Sequence, residues 1–386
     1  MKKEEPGDMD IITKELEDAC VIEFGTRVVQ KKDGGSIYPV YGGGGATFKV
    51  DTYNRENSLV VSRFAMSKEC TRFVEGKFFL NDSGLTVRPK NEGELTQSYL
   101  DYLLRTLNDT IYSLSRGTAQ RNLNVSKFRK LVIKYPNSTR TQLHIANLLS
   151  KAESLIAQRK ESIRLLDEYL KSTFLEMFGD PVRNERGWEM KIFEGFTKRI
   201  TKGESPKWQG FDYLESGVRF VTSENVLWGS LDLTKAKFIH EDFHKKLKRS
   251  QLLTNDLLVN LVGASVGRTS LCPKEALPAN INQAVAAITL RFESINPIYV
   301  LHLFVNPSFQ RLLLGNVVEA ARANLSLSDL RNLRIPFPPI ELQNKFAHIV
   351  ERMESLKALY QKSMQELESL YGSLSQRAFR GGAECK

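Results

Sequence analysis

The residues that most invite chemistry are two histidines and a glutamate. His240-Glu-Asp-Phe-His244 is a literal H-E-x-x-H, the helical spacing that sets two imidazoles on one face to hold zinc, with the glutamate as base. Lys245-Lys-Leu-Lys-Arg249 follows at once. It would crowd positive charge beside the metal, and no third ligand stands out on a downstream helix. The expectation is a short, solvated basic helix after a strand at 235–239, and no zinc. Two glycine-rich runs invite a phosphate. Gly42 to Gly45 leads into Ala46-Thr47 rather than Gly-Lys-Ser/Thr, so it is no nucleoside-triphosphate loop. Gly263-Ala-Ser-Val-Gly267 lies between strand-like runs and reads as a hairpin turn with special backbone angles, from which Ser265 and Arg268 can meet a nucleic-acid backbone. The Asn/Asp-Pro-Pro-aromatic motif of amino-methyltransferases is missing, and no nuclease cluster is convincing. The chain is expected to catalyse nothing alone.

Basic residues offer a different chemistry. Between Thr110 and Ala152 there are eight Lys or Arg and no Asp or Glu. Arg116, Gln120, Arg121 and Asn122 there combine cations that reach phosphates with amides able to pair with adenine edges. Arg322 and Asn324 stand at the equivalent place 202 residues later, and residues 235–249 form a further basic stretch. A merely solvated face is the alternative. Two such faces on a duplicated scaffold favour a long, regular polyanion, and duplex DNA fits.

These residues sit in a chain written twice. Asn122-Leu-Asn-Val-Ser-Lys-Phe-Arg-Lys-Leu-Val-Ile-Lys-Tyr-Pro136 overlays Asn324-Leu-Ser-Leu-Ser-Asp-Leu-Arg-Asn-Leu-Arg-Ile-Pro-Phe-Pro338 with seven of fifteen positions identical. From Gln142 the register slips to an offset of 201, which carries Glu153-Ser-Leu155 onto Glu354-Ser-Leu356 and Phe178 onto Phe379. A period near 201 is too long for a solenoid. It reads as two copies of a globular module, each ending in a helix. Positions 145, 149, 152, 156, 159, 163, 166, 170, 173 and 177 keep a four-three rhythm, and so do their counterparts 346–378. That is a heptad seam in both helices. The helix-pairing residues expected from it are Leu149, Ile156, Ile163, Leu166 and Leu170 against Val350, Met353, Tyr360, Met364 and Leu367. Leu148, Leu155 and Tyr169, with Ile349, Leu356 and Leu370, widen each stripe, so the helices can pair and still offer a flank to a partner. Asn137-Ser-Thr139 and Pro338-Pro339 mark the helix starts. Gly179-Asp-Pro181 and Gly381-Gly382 mark the ends.

Within the modules, strand-like runs at Leu59-Val-Val61, Leu85-Thr-Val87, Val218-Arg-Phe-Val221, 257–262 and 284–290 precede helical patterns at 98–115 and 297–314. Each module is therefore read as an α+β globule. Their front halves differ, since Tyr38-Pro-Val-Tyr-Gly-Gly-Gly-Gly45 has no counterpart in the second. The expected division is a first module at 1–140, a helix at 141–180, a second module at 181–338 and a helix at 339–380.

Composition excludes several classes. Of 386 residues 26% are charged and 41% apolar, which is globular rather than disordered. Fifty-five Lys and Arg against 45 Asp and Glu give a net charge of +10. Cys20, Cys70, Cys272 and Cys385 show no C-x-x-C spacing, which argues against a disulfide framework or cysteine zinc site and for a reducing compartment. No apolar run approaches the ~18 residues of a membrane helix, and Met1-Lys-Lys-Glu-Glu-Pro6 lacks the apolar core of a signal peptide. A cytoplasmic location is expected.

The chain resembles the specificity subunit of type I restriction-modification enzymes over nearly its whole length. The resemblance is carried by Tyr38-Pro-Val-Tyr-Gly-Gly42, Asn122-Leu-Asn-Val-Ser126, Met177-Phe-Gly-Asp-Pro181, Trp188-Glu-Met-Lys191, 260–267, Asn280-Ile-Asn-Gln283, Asn324-Leu-Ser-Leu-Ser328 and Ile335-Pro-Phe-Pro-Pro339, in that order. The family pattern breaks at the N-terminus, where an acidic stretch from Met1 to Glu17 stands in place of the tryptophan-containing start of the second module. The resemblance implies two similar target-recognition domains alternating with two long antiparallel coiled-coil helices that act as a spacer, in a pseudo-twofold internal repeat. It implies a subunit that catalyses nothing, reads a split asymmetric DNA sequence through the major groove and recruits two methyltransferase subunits, with restriction subunits in the full complex. S-adenosylmethionine, ATP and magnesium would belong to those partners. Candidate DNA contacts on this reading are Tyr41 and Gly43, the Arg116, Gln120, Arg121 and Asn122 group, Lys202, Lys245 and Lys246, Ser265 and Arg268, and Arg322 with Asn324. A DNA-targeting subunit of a type IIB-like system and a coiled-coil scaffold without DNA function remain as alternatives.

Overall fold

The computed structural model of the chain describes residues 10–118, 120–315 and 324–379. They divide into two compact units, the described residues up to 160 with those from 362 to 379, and the described residues between 161 and 361. Arg322, Gly381-Gly382 and Cys385 lie outside the described residues.

The first unit runs β1 (Ile11–Glu15), α1 (Leu16–Ala19), β2 (Cys20–Phe24), α2 (Gln30–Asp33), β3 (Tyr38–Tyr41), β4 (Ala46–Val50), β5 (Arg55–Ser62), β6 (Thr71–Leu80) and β7 (Gly84–Pro89). There follow α3 (Gln97–Thr106), α4 (Asn108–Ser113), β8 (Ser115–Arg116), β9 (Asn122–Leu123), α5 (Val125–Arg129), β10 (Val132–Pro136) and the start of α6 (Thr139–Phe178). Six strands form one sheet in the order β2-β7-β5-β6-β3-β4. Alternate residues of its central strands point to opposite faces, as the period of two requires. Leu59, Val61, Leu85 and Val87 enter a core under the helices, whereas Val60 joins Val74, Phe78 and Leu80 on the other side.

The second unit holds β11 (Met190–Ile192), β12 (Thr197–Lys202), β13 (Val218–Val221), β14 (Lys237–Ile239), α7 (Glu241–Lys246), β15 (Leu257–Asn260), β16 (Thr269–Leu271), β17 (Ala279–Ile281) and β18 (Val285–Leu290). It continues with α8 (Pro297–Val305), α9 (Pro307–Leu314), α10 (Leu327–Asn332), β19 (Arg334–Pro336) and the start of α11 (Ile340–Ala378). The sheet order β12-β18-β15-β16 repeats β2-β7-β5-β6. Every residue of β18 is buried because each face has its own core: Ala286, Ile288 and Leu290 on the helix side, Val285 and Ala287 on the other. The front halves do differ. The first unit extends its sheet by β3 and β4, whereas the second builds a separate sheet β14-β13-β17.

The acidic N-terminal stretch hides a structural equivalent of the Trp188 segment. β1 pairs antiparallel with β10, Ile11 opposite Pro136, just as β11 pairs with β19, Met190 opposite Pro336. The next amide does the same in both units: Leu16 N–H donates to the Leu131 carbonyl and Phe193 N–H to that of Leu333, each at 2.8 Å. Backbone pairing tolerates this divergence because it asks little of side-chain identity.

Each helical pattern late in a module is two helices rather than one. Asn306 is extended and accepts from the Ser308 and Phe309 amides, and Pro307 disfavours a helical residue before it. In the first unit Leu107 leaves helical geometry, while the Asn108 Oδ1 accepts from the Cys70 and Thr71 amides, tying the break to β6.

The long helices run antiparallel. In the first unit Tyr371 donates to Glu153 at 2.9 Å and Lys160 pairs with Glu368 at 3.4 Å. In the second, Lys357 pairs with Asp167 at 2.7 Å, and Phe174 and Phe178 meet Phe346, ring centroids 5.5 Å apart in both cases. Leu149, Leu170 and Val350 are buried, and Ile156, Ile163, Leu166, Met353, Tyr360, Met364 and Leu367 are partly so. Gly179, at φ +77°, closes α6 in left-handed geometry, and its N–H donates to the Leu175 carbonyl. Each module thus rests on the start of the helix that follows it and the end of the other one. Tyr99 packs on Phe379 at 5.2 Å in the first unit, and Tyr299 on Phe178 at 4.8 Å in the second. Gln142 and Gln343, both fully buried, accept from the N-cap amides of α3 and α8, Thr96 and Asn296.

Glu153 is the polar centre of the first helix pair, accepting from Tyr102, from Tyr371 and from two nitrogens of Arg105. Burial raises its pKa, but the Arg105 guanidinium and the two hydroxyls outweigh that and hold it below the usual glutamate value. A depressed pKa contributes stability that is present above the unfolded value and lost as pH falls through the folded one. Glu153→Gln is expected to lower stability by about 1–2 kcal/mol at pH 7. Chemical denaturation at descending pH should show the gap closing below the ordinary carboxylate range.

Candidate nucleic-acid interface

In the first unit three segments converge at the end of β5. The Tyr41–Gly45 turn lies against it because glycine permits a close approach: the Gly43 carbonyl accepts from the Ser62 hydroxyl at 2.6 Å, and a Cβ at Gly43 would stand 2.8 Å from the Phe64 carbonyl. The β8–β9 hairpin arrives from the other side. Leu123 N–H donates to the Arg63 carbonyl and Met66 N–H to that of Arg121, both at 2.8 Å, and the Asn122 Oδ1 accepts from Ala65 N–H at 3.1 Å. Arg116, Gln120 and Arg121 are exposed on this hairpin. The Arg121 guanidinium lies 5.0 Å from the Tyr112 ring centre. Two of the groups singled out from the sequence, 41–43 and 116–122, are therefore brought together. Tyr41 itself is half-buried and packs edge-on against Phe78, so its ring belongs to the sheet's second core.

The second unit repeats the junction. Leu325 N–H donates to the Leu261 carbonyl at 2.7 Å, and Val262 bridges Asn324. Gly263 and Gly267, at φ +78° and +82°, form the turn between β15 and β16, a conformation glycine adopts without penalty. Ser265 is held by the Asn260 Nδ2 at 3.1 Å, and Arg268 is half-buried at the turn's far end. Ser265 and Asn324 thus belong to one loop cluster, with the Arg268 backbone tied to Ser265. Lys202 ends β12, exposed, beside the turn that follows β17, where Gly203 N–H donates to the Asn282 carbonyl.

The basic stretch at 235–249 is partly neutralised. Lys245 pairs with Glu241 one turn earlier at 3.0 Å, and Arg249 pairs with Glu204. Lys246 stands 6.0 Å from the Phe211 ring centre. The H-E-x-x-H segment does not present two imidazoles on one helical face, because His240 is the extended N-cap of α7 and its Nδ1 accepts from Asp242 N–H at 3.1 Å. His244 Nδ1 is hydrogen-bonded to Asn280. Changing both histidines to alanine should therefore leave metal content, measured by atomic spectroscopy, unchanged, and should cost about 1 kcal/mol through the lost cap.

Sequence reading passed over Arg63 and Phe64. They follow a buried strand directly, and a cation-aromatic pair at such a strand end was a usable signal. No helix among the described residues is long and apolar enough to cross a membrane.

A family model described as type I restriction modification DNA specificity domain matches residues 9–165 and 187–369, one copy per module. The type I restriction enzyme EcoBI specificity subunit of Escherichia coli is 31% identical over 175 residues, which cover 44% of this chain and 36% of that subunit. The MjaVIII specificity subunit of Methanocaldococcus jannaschii is 21% identical over 308 residues, covering 77% and 72%. The crystal structure of a type I system S subunit from M. genitalium has the same fold, with a TM-score of 0.67 at 16% identity over 98% of both chains. A second structure, from work on complex assembly and conformational transition of the type I R-M system, gives 0.54 at 18% identity.

Proposed function

The chain belongs to the type I restriction modification DNA specificity family, and from that membership we propose that it is the non-catalytic DNA-recognition subunit of a type I complex whose two modules read the two halves of a split, asymmetric site. The repeated junction supports this: in each unit a strand end and an Asn-Leu segment are joined by the same hydrogen bond, Leu123 to Arg63 and Leu325 to Leu261, while the side chains displayed around it differ. Such a scaffold presents equivalent loops with different reading groups.

Arg116, Gln120, Arg121 and Asn122 serve the first half-site, and Lys202, Ser265, Arg268 and Asn324 the second. The helices recruit two methyltransferase subunits, and restriction subunits join in the full complex. S-adenosylmethionine, ATP and magnesium are bound by those partners. Backbone contacts from the exposed cations supply affinity, and contacts to base edges supply selection.

DNA titration at two salt concentrations tests the reading. Binding to random duplex should weaken steeply with salt, with roughly one unit of log-log slope per phosphate contact. In the assembled complex a specific site should retain an advantage of roughly a thousandfold or more. Salt-independent binding, or none, would remove DNA from the function.

A further inference from the structure

The end of β5 carries a guanidinium held in an unusual way. Arg63 is pinned through its backbone, its N–H donating to the Ser83 carbonyl and its carbonyl accepting from Leu123, both at 2.8 Å. Its Cζ stands 4.9 Å from the centre of the Phe24 ring and 4.6 Å from that of Phe64. Both rings are themselves exposed by more than a third. Nη1 donates to the Asp82 carbonyl at 3.3 Å. Nε and Nη2 have no protein acceptor among the described residues, and no carboxylate lies within ion-pairing distance.

Two aromatic faces and one carbonyl fix the plane of the guanidinium as well as its position. A planar fork can also grip a phosphate bidentately, but that contact selects no sequence, so the two are told apart by whether one position or every site weakens on substitution. A fixed plane with the Nε–Nη2 edge unused is a parallel pair of donors, which matches the O6 and N7 acceptors of guanine in the major groove. Arg63 also sits where the glycine turn and the Asn122 hairpin meet. At the equivalent position of the second unit stands Leu261, buried, with no cation. The reading group is specific to one module.

We propose that Arg63 is a specificity-determining residue of the first module that reads a guanine edge, with Phe24 and Phe64 as the positioning residues that hold its guanidinium for the task. The inference rests on the DNA-recognition role proposed above and names a reader within it.

The test uses the full chain assembled with its methyltransferase, and methylated sites are mapped for wild type, Arg63→Gln, Arg63→Lys and Phe64→Leu. Arg63→Gln should relax one guanine position in one half-site by roughly tenfold or more and leave the other half unchanged. Arg63→Lys keeps the charge and loses the planar fork, so it should relax the same position while overall affinity and salt dependence stay near wild type. Phe64→Leu should give a smaller relaxation at that position. A uniform fall at all sites with a shallower salt slope would mean a phosphate contact and would overturn the proposal, as would unchanged selectivity or a first half-site without guanine. A wild-type complex with no sequence preference would overturn the DNA-recognition reading and this inference with it.

Discussion

Replacing residues 188–335 with the corresponding segment of a relative is expected to change one half of the methylated sequence completely and leave the other half as it was. The cut points are adjacent in the fold, since β11 and β19 pair with Lys191 opposite Ile335. The long helices lie outside the exchanged segment. Three ties to the long helices must be kept: the Trp188 indole N–H donates to the Phe178 carbonyl at the end of α6 at 2.8 Å, Tyr299 packs on the Phe178 ring, and the Asn296 N–H donates to Gln343 of α11, so the donor should carry tryptophan and tyrosine at those positions. A full change of base preference in one half amounts to several kcal/mol, because each mismatched pair costs about 1–3 kcal/mol. Sequencing the methylated sites decides it: a change in both halves would mean that the modules do not read independently.

The second large effect is expected on recruitment. The purified chain with S-adenosylmethionine alone should methylate nothing, and sequence-specific methylation should appear when the matching methyltransferase is added. That gain should be lost in Leu148→Gln with Leu155→Gln. These leucines are 39% and 44% exposed on α6, whereas Leu149 on the seam is 1% exposed. Their replacement by another good helix former leaves the pairing with α11 intact. Fully burying a leucine contributes about 1.5–3 kcal/mol, so two half-exposed ones covered by a partner contribute about 2 kcal/mol, or roughly thirtyfold in affinity. Sedimentation of the mixed subunits measures the loss. An intact complex from the double variant would place the methyltransferase elsewhere.

What was legible in the sequence was what depends on short-range pattern. The 202-residue repeat pointed to the Leu123 and Leu325 junctions, and the four-three rhythm pointed to the seam. The positive-φ turn at 263–267 was readable because glycine is needed there and nothing else is. What was not legible depends on strand order. Phe24 reaches Arg63 only because β2 and β5 flank β7 in one sheet, and Glu204 neutralises Arg249 across a sequence separation of 45. The equivalence of β1 and β11 left only Lys14 matching Lys191 and Glu17 matching Glu194, too little to read from sequence, because the pairing is made by backbone groups.

The packing of Phe379 on Tyr99 sets an order on biosynthesis. The second unit, 161–361, is a single continuous stretch, whereas the first needs residues 362–379, made about 200 residues after Lys160. At the ~5–20 residues per second of a ribosome, the apolar face around Tyr99 waits roughly 10–40 s for the strand of chain that covers it. The module translated first is therefore the last to close, and its nascent form is the one that a chaperone has reason to hold.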